Sequence, residues 1–290
     1  MAPSINNAKC VLVTGATSGI GRALALAIAA LPSRPKVIGV GRRKDRLAGL
    51  REAGIEAEEF DVNADRTSTK AFVERMIQKY PEIDTILLAA GVQREFNFKK
   101  EIDLDAIVNE MNVNYTAIVT MITFFMPHFL AKAATGQPCI IAPVTSALAY
   151  VSAIWVPNYS ASKAALHSMC NSLRVQLGDT NISVIEISPP LVESELHDAE
   201  GTTEALSKFW MPLDTYTKET VEGLQRGENV VCCGQAKIVY EKFEQPKEQV
   251  ISDMAKRSPS RYTVLLDLKL NCRAHRRFLT GSKMNASVRL

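Results

Sequence analysis

The sequence predicts an α/β domain, a single doubly wound parallel sheet of about seven strands with helices on both faces. Three observations predict it. Short β-branched runs alternate with longer helical patterns between residues 10 and 187, the rhythm of repeated βα units. The strand candidates are continuous apolar runs, as strands buried on both faces are. The first helical patterns stop at Pro32, Gly54 and Pro81, residues that end helices.

Taken in order, Cys10 to Thr14 is a short apolar run ended by glycine and reads as strand one. Ile20 to Leu31, rich in Ala and Leu, is the first helix. Lys36 to Val40 is strand two, Lys44 to Ala53 a helix, Glu58 to Val62 strand three and Arg66 to Tyr80 a helix. Ile83 to Ala89 is strand four, followed by a long helical region from about Asp103 to Lys132. Pro138 to Val144 is strand five, Tyr159 to Leu177 a helix and Ile182 to Ile187 strand six. The pattern changes after Pro189. Residues 190–226 are mixed and polar, and an insertion of that length suggests a lid over a substrate. Asn229 to Cys233 reads as one more short strand and 236–256 as helical. We expect one domain over 1–260 and a weakly patterned extension over 261–290.

Composition narrows the function. The chain has 290 residues, 47% hydrophobic and 22% charged, enough for a sizeable core without disulfides. The net charge of +3 comes from the end of the chain, where residues 261–290 hold seven basic side chains against Asp267 alone. The remainder is mildly acidic and offers no nucleic-acid face. Six cysteines include no CxxC pair and the four histidines have no ligand-spaced neighbours, so no metal site is expected. Vicinal Cys232 and Cys233 read as a buried strand, in keeping with a reducing compartment. Met1 to Lys9 is polar, with no secretory pattern. The longest apolar stretch, Ala117 to Leu130, falls short of the ~20 residues that span a bilayer. A cytoplasmic protein without a membrane span is the expectation.

The turn after strand one is Thr14-Gly15-Ala16-Thr17-Ser18-Gly19-Ile20-Gly21. Glycines between a strand and a helix let the backbone approach a pyrophosphate, which the N–H groups of the helix start then hold. The spacing is GxxxGxG, not the general GxGxxG fingerprint. Strand two ends in Val40-Gly41-Arg42-Arg43. An acid there would bind a ribose 2′-hydroxyl, whereas cations suit a 2′-phosphate. Arg42 and Arg43 therefore favour NADP(H) over NAD(H). Asp61-Val62, ending strand three, would face the adenine.

Tyr159 and Lys163 stand four apart at the start of a helical segment, so both project from one face. An ammonium beside a phenol lowers the phenol pKa from ~10 and makes it a usable proton donor or acceptor. Ser146, 13 residues upstream at the end of strand five, can hydrogen-bond a reacting oxygen.

With these motifs the chain resembles the short-chain dehydrogenase/reductase family in its single-domain form, over about residues 9–240. The resemblance implies a Rossmann-type fold and a one-step reaction. Ser146 would orient the substrate oxygen, Tyr159 would act as general acid/base, and Lys163 would also hold the nicotinamide ribose. Asn114, in Met111-Asn112-Val113-Asn114, matches the fourth catalytic position and would hold a water linking Lys163 to solvent. Ala90 and Gly91 after strand four, and Pro189, Val192 and Ser194 after strand six, would contact the cofactor. Two departures stand out. Leu88-Ala89-Ala90-Gly91 replaces the usual Asn-Asn-Ala-Gly, and Pro189-Pro190 the usual Pro-Gly.

The expected activity is thus hydride exchange between NADP(H) and a carbonyl or secondary alcohol of a small to medium hydrophobic molecule, with secondary-metabolite biosynthesis as one setting. A homodimer or homotetramer is implied by the family. A cofactor-sensing Rossmann protein without catalysis is the alternative, but such a protein would be expected to lack the Ser-Tyr-Lys set. An epimerase or dehydratase would carry TGxxGxxG and a larger C-terminal domain. His197 reads as a solvated histidine, and Trp155 and Trp210 flank the substrate mouth.

Overall fold

The computed structural model describes residues 4–257 apart from residue 202, with no side-chain detail at 199–200. The extension expected at 261–290 lies outside the described residues. The chain forms two compact units, Met1–Gln245 and a second beginning at Pro246.

The strands of the first unit are β1 (Cys10–Thr14), β2 (Lys36–Gly41), β3 (Glu56–Glu59), β4 (Thr85–Leu88), β5 (Cys139–Pro143), β6 (Ile182–Val184), β7 (Glu186–Ser188) and β8 (Val230–Cys232). The first six form one sheet in the order β3-β2-β1-β4-β5-β6, and every pairing is parallel. The helices are α1 (Gly19–Ala29), α2 (Lys44–Glu52), α3 (Arg66–Lys79), α4 (Leu104–Met111), α5 (Ala117–Ala134), α6 (Pro157–Gln176), α7 (Thr203–Leu206), α8 (Leu213–Arg226) and α9 (Gly234–Phe243).

Strand β1 shows why the apolar runs are unbroken. Successive side chains of a strand point to opposite faces. Val11 and Val13 join one core cluster with Leu24 and Ile28 of α1 and Leu47 and Leu50 of α2. Cys10 and Leu12 join the other, with Phe72 and Met76 of α3, Phe125 and Phe129 of α5, and Leu166 of α6. Each fully buried Val, Leu or Phe side chain contributes about 1.5–3 kcal/mol of transfer free energy, so both faces of the sheet must stay covered.

The doubly wound fold agrees with the expectation, with six strands in the main sheet instead of about seven. The apolar run at 182–187 divides at Ile185. Its N–H still donates to Ile141 (2.9 Å), but Glu186 turns its carboxylate inward to Thr145, Tyr150 and His167. From there β7 pairs with β8 in a second, two-stranded sheet, tied to the first through a bridge between Val144 and Ile187. Strand three also ends earlier than expected. The Asp61 carboxylate accepts from the Asn63 N–H (2.9 Å), a local turn that competes with the ladder.

Within the segment 190–226, expected as a lid, the stretch after Pro212 is helical. Residues 213–226 form α8, whose Tyr216, Val221 and Leu224 bury in the first core cluster, so α8 belongs to the body. Residues 190–212 hold a 3-10 turn at Glu195–Glu200, α7 and a bridge between Val192 and Met211. The helical pattern at 236–256 is two helices, α9 and α10 (Gln245–Arg257). Pro246 suits a first turn and not a helix interior. No residue of α10 is buried.

Between α4 and α5, Asn112–Thr116 is π-helical, and the whole runs from Leu104 to Ala134. By length and composition it could cross a membrane. Here Ile118, Met121, Ile122, Phe125 and Phe129 pack into the second core cluster.

Candidate active site

β1 pairs with β2 on one side and β4 on the other, so the winding reverses between β1 and β4. A crevice opens beyond the carboxyl ends of strands at such a switch point. In this chain it is a cleft of about 610 Å³.

Its cofactor side is the glycine turn. Gly15 has φ +70, and a Cβ there would stand 2.8 Å from the Ala90 nitrogen. Only glycine tolerates both the left-handed backbone and that approach. A Cβ on Gly21 would collide with the Gly15 carbonyl, so the turn and the helix start close on each other. Ser18 is the N-cap of α1 but makes no side-chain capping bond. The first N–H groups of α1 therefore have no intrahelical or side-chain acceptor there. Gly15, Thr17, Ser18, Gly19, Ile20, Gly21, Arg42, Arg43, Asp61, Val62, Ala90, Gly91, Pro189, Val192 and Ser194 all line the cleft. Thr14 sits beneath it, its Oγ1 accepting from the Ala90 N–H (3.4 Å).

The two arginines diverge. Arg42 is exposed and reaches the Asp61 carboxylate at 3.4 Å. Arg43 donates to Thr17 Oγ1 (3.1 Å) and to Ser18 Oγ, and pairs with Glu195 at 2.9 Å.

Facing the glycine turn are Ser146, Tyr159 and Lys163, which line the same cleft. Ser146 caps the 3-10 turn Ala147–Ala149, its Oγ accepting from the Leu148 N–H at 3.1 Å. Pro157 opens α6 at its first turn, so Tyr159 and Lys163 lie one turn apart and both are buried. Lys163 Nζ donates to the Val144 carbonyl (2.8 Å) and stands 5.5 Å from the centre of the Tyr159 ring.

The electrostatics differ from the expectation that Lys163 lowers the phenol pKa. Burial dominates and raises Tyr159 above its ordinary value, against a lowering from its hydrogen bond with Ser146, while the Glu110 charge raises it further. Burial also lowers Lys163 to about 8. The phenol is therefore held protonated at neutral pH, and the ammonium titrates just above it.

Asn114 lies behind the cleft, fully buried on the π-helical stretch. Its Nδ2 donates to the Val92 carbonyl (2.8 Å) and Ser162 Oγ (3.1 Å), and its Oδ1 accepts from the Val92 N–H (2.9 Å). Both amide donors are thus engaged, and Oδ1 retains one lone pair. A Cβ on Gly91 would come within 3.3 Å of Oδ1 and 3.7 Å of Lys163 Nζ, so this turn, Asn114 and Lys163 converge.

Several residues were not anticipated. Glu110 is fully buried and accepts from the Arg94 N–H (2.8 Å) and Asn158 Nδ2 (2.6 Å). Nothing in the helical pattern distinguishes it from a solvated acid. His197, expected in solvent, is buried, lines the cleft and meets Gln93 Oε1 at 3.1 Å. Burial lowers its pKa. Trp155 lines the cleft and Trp210 does not. Leu148 and Leu196 pack against the small apolar cluster of Ala153, Val156 and Tyr159. Behind Ser146, His167 bridges Glu186 and Glu244. Burial would lower this imidazole, but the Glu186 carboxylate overrides it and holds the pKa up. Burial likewise pushes the Cys232 and Cys233 thiols up to about 12, so neither is a ready nucleophile. Among the described residues no group of three or more His, Cys, Asp or Glu could hold a metal ion.

Comparison with known proteins agrees with this geometry. A family model described as short chain dehydrogenase matches residues 9–205. The chain is 34% identical over 226 residues to the uncharacterised oxidoreductase DltE of Bacillus subtilis, covering 76% of this chain and 86% of that protein. Among solved structures, a short-chain dehydrogenase/reductase from Burkholderia phymatum in complex with NAD superposes with a TM-score of 0.70 at 18% identity, over 84% of this chain and 95% of that one. A short-chain dehydrogenase from Burkholderia cenocepacia in complex with NADP gives 0.68 at 22% identity, over 86% and 98%.

Proposed function

The chain belongs to the short-chain dehydrogenase/reductase family of oxidoreductases, and from that premise we propose that it is an NADP(H)-dependent reductase of small to medium apolar ketones. The observation that carries the reading is that Ser146, Tyr159 and Lys163 face the glycine turn across one cleft.

The residues present fit a dinucleotide. The Gly15 turn leaves no room for a side chain, and the α1 N-terminus lacks a side-chain cap, a start suited to a pyrophosphate. Arg42 and Arg43 would take the 2′-phosphate, Asp61 and Val62 the adenine, and Pro189, Val192 and Ser194 the nicotinamide end. Lys163 would hold the nicotinamide ribose. Bound there, the nicotinamide supplies the hydride.

The chain's own contribution is the proton and the orientation. Ser146 Oγ and the Tyr159 hydroxyl hold the substrate oxygen, and Tyr159 transfers its proton to it. A phenol kept protonated by burial suits the reducing direction, since it enters the reaction as a donor. Lys163, titrating near 8, returns the proton from the solvent side. Asn114 braces the turn after β4 through Val92; a relay water would use the lone pair its Oδ1 retains. Leu148, Trp155, Leu196 and Leu206 along the cleft favour an apolar substrate body. Nearby His197 and Gln93 offer it polar contacts.

The test is turnover by the purified protein, offered NADPH or NADH with a panel of aliphatic, aromatic and charged ketones. Faster NADPH oxidation with the apolar ketones is expected. Equal or better rates with NADH would remove the cofactor assignment, and absence of turnover with every ketone would remove the activity.

A further inference from the structure

Glu195 ties the segment 190–212, part of which lines the cleft, to the cofactor side. Glu195 opens the 3-10 turn Glu195–Glu200. One carboxylate oxygen meets Arg43 Nη1 at 2.9 Å and the other meets Arg46 Nη1. Arg43 precedes the first residue of α2 and Arg46 lies in its first turn. The same Arg43 guanidinium bonds Thr17 and Ser18 of the glycine turn, and Arg46 Nη1 reaches the Thr17 carbonyl at 3.4 Å. Three parts of the chain, far apart in sequence, thus meet on two guanidinium groups. Glu195 also stands between two cavities, lining both the main cleft and a second one beside α1, α2 and α8.

A 2′-phosphate at the end of β2, taken by Arg42 and Arg43, would need the Arg43 donors that Glu195 holds. A dianion and a carboxylate on the same donors repel each other, at a cost that grows with burial. A dinucleotide without the phosphate makes no such demand. We propose that Glu195 is a specificity-determining latch: a 2′-phosphorylated dinucleotide must displace its carboxylate from Arg43, leaving it to Arg46, and so loosens the 190–212 segment, whereas the unphosphorylated form leaves it fastened. The carboxylate is charged at neutral pH, because the two arginines override the effect of burial and hold its pKa below the ordinary value.

This inference rests on the dinucleotide site proposed above, and its test separates the two. Dissociation constants for NADPH and NADH are measured on the full chain and on E195Q by nicotinamide fluorescence. Which cofactor the unaltered protein prefers judges the NADP(H) assignment. The change in that preference on E195Q judges the latch. The preference for NADPH is expected to rise about twofold to fivefold, carried by NADPH alone, the range that one half-exposed ion pair can supply. An unchanged or lower preference overturns the latch whatever the starting preference. An independent reading needs no variant. Amide hydrogen exchange over 193–198 is expected to be faster with saturating NADPH than with saturating NADH, and equal exchange in the two complexes overturns the proposal.

Discussion

The floor and the rim of the cleft handle charge in opposite ways. On the floor, Tyr159 and Lys163 are buried, and desolvation sets both pKa values, up for the phenol and down for the ammonium. On the rim, Arg42 keeps 67% of its side chain exposed and Glu195 44%, and their interactions are ion pairs in contact with water. Groups on the floor are tuned by what surrounds them, and the protein carries the cost in stability. Groups on the rim exchange partners cheaply, which suits the recognition of a ligand that comes and goes.

The largest expected effect breaks the floor. Tyr159→Phe removes one oxygen from a buried ring and leaves its packing intact. Loss of a positioned proton donor should lower kcat by about 10²–10⁴-fold, with KM and thermal stability little changed. Steady-state kinetics alongside a melting curve checks this. Full activity in the variant would take the proton-donor role from Tyr159.

The next effect is on stability and comes from Lys163→Met. The folded pKa of Lys163 is about 8 against an ordinary 10.5. Below about pH 8 the folded state must carry a buried charge that the unfolded state carries in water. That cost is present at pH 7 and recedes as pH rises from about 8 toward 10.5, where the unfolded chain binds more protons than the folded one. The variant also loses the bond to the Val144 carbonyl, which offsets about 1 kcal/mol. The net expectation is an inactive protein roughly 2 kcal/mol more stable at pH 7, its advantage shrinking through pH 8–10. Denaturant unfolding at several pH values measures it. A variant less stable than the parent at pH 7 would show that burial of the ammonium is not the dominant cost.

The same division explains what the sequence made legible. Tyr159 and Lys163 are one helical turn apart, and the glycine turn is a contiguous strand-turn-helix, so local periodicity was enough to bring them out. β1 was readable because burial on both faces leaves a continuous apolar run. Glu195 and Arg43 are 152 residues apart, and no local pattern pairs them. Glu110 looks like any acid on a helix until Arg94 and Asn158 close over it. The division at Ile185 depends on where Thr145, Tyr150 and His167 place the Glu186 carboxylate. For α8, Trp210, Pro212 and the run of polar residues suggested a loop, while the spacing of Tyr216, Thr220 and Leu224 matches the buried face of a helix. That periodicity was present in the sequence and was outweighed by composition.

The smallest expected effect sharpens the rim. Among the described residues Arg42 is held by a long contact to Asp61, 3.4 Å with both side chains exposed, a pair worth well under 1 kcal/mol to the fold. Arg42→Gln should therefore leave melting unchanged within about 0.5 kcal/mol. Its effect should fall on NADPH affinity, about threefold to tenfold, and not on NADH. Because both partners are in water, that loss should itself be salt-dependent. At low ionic strength the variant and the parent differ most, and at an ionic strength of about 1 M, where the screening length falls to about 3 Å, they should nearly converge. Titrations of both cofactors at two salt concentrations distinguish this from a structural effect, which salt would leave in place. A difference that persists undiminished in high salt would mean that Arg42 acts through packing, and the contrast between a screened rim and an unscreened floor would fail at that residue.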